Sequence, residues 1–85
     1  MDVDFLIRKQ RLKILTLLLE SPKTVYQIIR FTGMSPPNLL HSLDIFKRAG
    51  IINVEIKGRA KEISLTEKGR QIATHLKAVK ELLGG

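Results

Sequence analysis

The residues best placed to do chemistry are cations. Lys57, Arg59 and Lys61 occupy alternate positions around Gly58, and side chains that project from a tight turn reach a polyanion without obstruction from their own backbone. They belong to a general excess: fifteen Lys and Arg face eight Asp and Glu, a net charge of +7 on 85 residues. Such an imbalance favours nucleic acid or an anionic membrane surface as partner. Catalytic chemistry lacks its parts. There is no Cys, which removes thiol nucleophiles, disulfides and thiolate metal sites. His41 and His75 fall on different predicted helices, without an acid partner or a second metal ligand in helical reach. No phosphate-binding glycine motif occurs, and the carboxylates do not pair on one face. The sequence predicts no enzyme, no metal and no cofactor.

These cations need a frame, and the chain is long enough for one domain, residues 1–85. A domain of this size buries only about 60–65% of its unfolded surface, so its own core is marginal and a second copy would help it. Apolar periodicity predicts four helices and one hairpin. The first helix spans Asp4 to Glu20, with Leu12, Ile14, Leu15, Leu18 and Leu19 on a broad inner face; Leu6 and Leu17 fall roughly opposite and predict a second apolar contact. Ser21-Pro22 stops it. Thr24 caps a short second helix, with Gln27 completing a capping box, and Gly33 ends it. Ser35 and Pro36 start a third helix that runs to Ala49, with Leu39, Leu43 and Phe46 facing inward. The period then changes to two. Ile52, Val54 and Ile56 predict a strand, Lys57-Gly58-Arg59-Ala60 a turn, and Ile63 and Leu65 a return strand. Thr66 caps a fourth helix, residues 66–85, whose stripe is Ile72, Leu76, Val79 and Leu83.

Two short helices joined by a glycine turn make a helix-turn-helix pattern. A hairpin with a basic tip directly after the second of them matches a wing. The fold class predicted is therefore mainly α with a β-hairpin wing, in the order helix-helix-helix-strand-strand-helix. On Arg11 through Leu18, Thr24 through Ile28, Ser35 through Ile52 and Leu65-Thr66-Glu67-Lys68-Gly69, the chain resembles the winged helix-turn-helix transcriptional regulators of the MarR and ArsR type, including small archaeal ones. The run Leu43 to Ile52, closing on Ala49-Gly50, carries most of the likeness.

The resemblance implies a regulator that binds double-stranded DNA, with the third helix (36–49) in the major groove and the wing (57–61) on the neighbouring minor groove or backbone. Base contacts then fall to the N-terminal half of that helix, namely Pro36, Pro37, Asn38, Leu40, His41 and Ser42. Asn38 suits adenine, Ser42 several base edges, and Leu40 a thymine methyl. The same Asn38 and Ser42 also read as solvated surface, and Leu40 as core or partner-facing. Asp44 is expected to face outward, where it would repel phosphate. Thr24, Tyr26 and Gln27 are expected at phosphates, and Lys57, Arg59 and Lys61 on the wing. Arg8, Lys9, Arg11 and Lys13 read as a solvated helix face. Leu6 and Leu17, with Ile72, Leu76, Val79 and Leu83, are expected to form a homodimer interface, in keeping with the terminal-helix dimers of the resembling proteins. An acidic N-terminus and the lack of a spanning segment predict a cytoplasmic, nucleoid-associated protein without membrane contact. No effector ligand is specified by these residues. Two other readings stay open: a weakly specific architectural chromatin protein and a winged-helix protein–protein adaptor.

Overall fold

A computed structural model describes residues 8–84. Leu6 and the predicted start of the first helix at Asp4 lie outside the described residues. Helix α1 (Lys9–Glu20) opens from Arg8 in extended backbone and stops at Ser21, ahead of Pro22. The two residues that follow the proline form a short strand, β1 (Lys23–Thr24). Helix α2 (Val25–Thr32) begins on the predicted capping box. The Gln27 N–H donates to Thr24 Oγ1 (3.1 Å) and the Thr24 N–H donates to Gln27 Oε1 (2.9 Å). It ends at Gly33, whose φ of 71° is a left-handed conformation that a side chain would strain. Helix α3 (Pro36–Arg48) follows after a short turn. Strands β2 (Ile52–Lys57) and β3 (Ala60–Leu65) form the hairpin, and helix α4 (Glu67–Leu82) completes the described chain.

The sheet has three strands rather than the predicted two. Its order is β1-β3-β2, all antiparallel, with Lys23 opposite Ile63 and Thr24 opposite Glu62. Within the hairpin, Ile52 pairs with Leu65, Val54 with Ile63 and Ile56 with Lys61. Directly opposed residues project from the same face, so the apolar face is Ile52, Val54, Ile56, Ile63 and Leu65. It is buried at its base and bare at the wing tip, where Ile56 is 72% exposed.

The core joins Ile14, Leu15 and Leu18 of α1 to Ile28 of α2, Leu39, Leu43 and Phe46 of α3, Ile51 and Ile52, Ile63 and Leu65 of the hairpin, and Ala73 of α4. Phe46 is fully buried, and truncating it to Ala would cost about 3–5 kcal/mol. Leu17 departs from expectation. It is buried in the chain's own core at 5% exposure, because α1 is packed by α4, α2 and β3 together. It therefore offers nothing to a second subunit. The α4 stripe divides in the same way: Ile72 and Leu76 are half-buried against the core, whereas Val79 and Leu83 are exposed. No helix among the described residues is long and apolar enough to cross a membrane.

Candidate nucleic-acid interface

Helix α3 is built so that one end is fixed and the other presented. Ser35 (φ −66°, ψ 147°) is the extended N-cap residue, and Pro36 and Pro37 fill the first turn, where missing N–H donors leave no bond unmade. The Ser35 side chain makes no capping bond; its carbonyl accepts from Leu39 N–H at 3.0 Å. With Leu39, Leu43 and Phe46 inside, the helix turns Pro36, Pro37, Asn38, Leu40, His41 and Asp44 outward, all exposed. Ser42 does not join them. It is 1% exposed on the inner face, three residues after Leu39, and its Oγ accepts from Arg11 Nε at 3.5 Å. A base edge cannot reach it. Asp44 points outward as expected, but Arg48 one turn on neutralises it through a 2.6 Å ion pair. Both groups are more than half exposed, so the pair adds little stability; its effect is to blunt repulsion of phosphate.

At the start of α2, Thr24 and Gln27 have their side-chain oxygens committed to the capping box. Tyr26 is 63% exposed. Its hydroxyl accepts from Arg30 Nη1 at 3.2 Å, and the guanidinium lies 5.8 Å from the ring centroid. Arg30 was not anticipated as part of this edge, although its i, i+4 spacing from Tyr26 puts the two on one face.

The three wing cations are not equivalent. Lys57 Nζ lies 3.0 Å from Glu62 Oε1. The hydrogen bond to Glu62, then the charges of Glu62 and Glu55, hold the Lys57 ammonium above the usual lysine pKa. Strand register explains the pair. Glu55 sits directly opposite Glu62, a like-charge juxtaposition that is unfavourable alone, and Lys57 on the same face relieves it. Arg59 and Lys61 are exposed and have no ion pair among the described residues.

Arg8, Lys9 and Arg11 are more than a solvated face. With Asn38, His41 and Ser42 they border a cleft of about 350 Å³ between the start of α1 and the side of α3. Burial, then the charge of Arg8, lowers the Arg11 pKa. No group of acids and histidines among the described residues is arranged to hold a metal ion.

The Leu65-Thr66-Glu67-Lys68-Gly69 run has a structural purpose. The Thr66 hydroxyl accepts from Gly69 N–H (3.0 Å) as the cap of α4 and donates toward the Gly50 carbonyl (2.6 Å). The Thr66 N–H donates to the Ile51 carbonyl (3.0 Å), and Lys68 Nζ donates to the Ala49 carbonyl (3.0 Å). A Cβ on Gly69 would stand 2.0 Å from the Ile51 oxygen, so only glycine lets α4 approach this closely. The end of α3 is thereby tied to the start of α4.

Comparison with known proteins agrees with this geometry. The family described as bacterial regulatory protein, arsR family, matches residues 8–54. Among solved structures, AF1382 from Archaeoglobus fulgidus superposes with a TM-score of 0.86 at 22% identity, covering 98% of this chain and 97% of that one. The transcriptional repressor BigR from Xylella fastidiosa gives 0.80 at 21% identity, covering 98% and 83%. A predicted DNA-binding transcriptional regulator from E. coli gives 0.75 at 25% identity, covering 91% and 83%. Comparison with curated protein sequences gave no match. With its helix pair, basic wing and α4 clasp, the chain belongs to the arsR family of helix-turn-helix regulatory proteins, DNA-binding regulators of transcription.

Proposed function

We propose that α3 enters the DNA major groove by its N-terminal half while the wing lies on the adjacent minor groove or backbone. The observation that carries this reading is the outward face of α3, which is exposed and contiguous with a wing whose Arg59 and Lys61 have no intramolecular counter-ion among the described residues. Asn38 suits bidentate bonding to adenine and Leu40 contact with a thymine methyl. Pro36, Pro37 and His41 shape the approach, and Tyr26 with Arg30 meets phosphate at the flank. The first turns of α3 carry no Arg, the commonest reader of guanine, so strong G·C readout is not expected from them and adenine contact by Asn38 leads. Selection of bound duplexes from a random library at defined salt tests this. Enrichment of a motif with adenine at a fixed position supports it. Recovery of unenriched DNA would favour the architectural reading instead, since specific binders exceed their own non-specific affinity by about 10³–10⁷.

The same proposal includes a homodimer that places two α3 helices about one DNA turn apart, ~34 Å, or a multiple of it. Val79, Leu82 and Leu83 support it: they are 52%, 86% and 83% exposed on the far end of α4, an apolar strip that an isologous contact would cover. Ile72 and Leu76 contribute only the edge they leave outside the core. Leu83→Asp should yield monomer by light scattering, with helical content retained by circular dichroism and a modest fall in melting temperature as the dimer's contribution to stability is lost. Wild-type protein that stays monomeric at micromolar concentration would end the dimer proposal.

A further inference from the structure

Between α3 and the wing runs a second cleft, of about 280 Å³. Val54 and Ile63 form its floor, Leu40 and Lys47 its helix side, and Lys61 its wing side, with Asp44 at the helix edge. Lys47 lies seven residues after Leu40 and shares its helical face. Lys61 shares the apolar face of the hairpin through its pairing with Ile56. The cleft is thus apolar at the bottom and flanked by two ammonium groups from different elements. Both lysines are exposed, and neither has an ion pair among the described residues. Asp44, the acid at this edge, is held by Arg48.

We infer that this cleft is the saddle for one DNA strand, with Lys47 and Lys61 clamping adjacent phosphates from opposite sides. The inference rests on the docking proposed above and deepens it. A major groove and its neighbouring minor groove are separated by a single sugar-phosphate strand. If α3 occupies the first and the wing the second, that strand must cross the space between them. The chemistry fits such an occupant. Two cations on opposite walls match the charged edge of the strand, and the half-buried Val54 with the exposed Leu40 beside it matches the sugar faces, with Ile63 buried beneath them. Lys47 and Lys61 are then register-setting contacts: they fix where the helix lies along the duplex and carry no base information of their own.

The test is a salt titration of the full-length chain on a fluorescein-labelled mixed-sequence duplex. It compares wild type, Arg59→Ala, Lys47→Gln, Lys61→Gln and the double lysine variant. Each phosphate contact contributes about 0.9 to the slope of log affinity against log salt. Each lysine substitution should flatten that slope by ~0.9 for every half-site occupied, and the double variant by about twice as much. Both positions are exposed, so circular dichroism and melting should be unchanged. A second measurement places neutral methylphosphonates singly along one strand of a duplex recovered by the selection above. Wild type should lose affinity at one or two adjacent positions, and the double variant should be indifferent to those same positions. If Arg59→Ala flattens the slope while the double variant keeps it, the saddle is wrong and the docking mode stands. If wild type fails to bind duplex at low salt, the docking mode falls and the saddle with it.

Discussion

The two ends of α3 are held in opposite ways. At its C-terminal end, three backbone carbonyls from Ala49 to Ile51 are bonded by Thr66 and Lys68, and Gly69 packs without room for a single carbon. At its N-terminal end, Ser35 makes no side-chain cap, and Asn38, Leu40 and His41 are exposed. The wing continues this contrast, since its base is buried at Ile52 and Leu65 while its tip is bare. A recognition element benefits from both conditions. The sealed end sets the angle of the helix relative to α4, and hence relative to any partner subunit. The open end keeps polar and apolar side chains unsatisfied until a ligand supplies what they lack.

The strongest way to break this contrast is at Gly69. Gly69→Val must push the α4 backbone away from the Ile51 carbonyl, and overpacking of this kind costs about 3 kcal/mol. Melting should fall by more than about 10 °C. An unchanged melting temperature would show that the clasp is loose. Thr66→Val should act in the same direction with less force, about 1–2 kcal/mol for the lost cap, read as a drop of roughly 5–10 °C. Substitution by Ser should restore most of it, because the hydroxyl is what bridges the elements.

The open region should respond in binding rather than in stability. Arg59→Ala should leave melting untouched, weaken affinity for all duplexes and flatten the salt slope by about 0.9 for every half-site occupied. Equal affinity at low and high salt would remove the wing from the interface. The smallest effect belongs to Glu62→Gln, which releases Lys57 and should tighten duplex binding with a slightly steeper salt slope. The sign with pH is fixed by the raised Lys57 pKa. The pair is complete below the ordinary lysine range and is lost as pH rises through the raised value. Near neutrality, therefore, the substitution should loosen the pair and a pH change should not. Weaker binding by Glu62→Gln would mean that the pair shapes the wing rather than restrains its charge.

Much of this was legible from residue order. The capping box at Thr24 and Gln27, the glycine at position 33, the Ser35-Pro36 start and the Leu39–Leu43–Phe46 face are local devices, and each appears where its spacing predicts. Strand β1 was not legible, because two residues have no periodicity to display. Ser42 was misread because its polarity outweighed its position; three residues after Leu39, it is carried inward and given Arg11 as partner. Leu17 was misread because a helix enclosed by three elements buries more than one face, and that number is a tertiary fact. The division of labour among Lys57, Arg59 and Lys61 depends on which residue of β2 opposes which of β3. Only the register reveals that Lys57 already has a carboxylate.

The central claim is that the basic, open side of this domain meets DNA phosphates in number. It is tested most directly by measuring duplex affinity from low to high salt by fluorescence anisotropy. If a dimer covers ~8 phosphates, log affinity should fall against log salt with a slope of roughly −7. A slope near zero, or no binding even at low salt, would contradict the account.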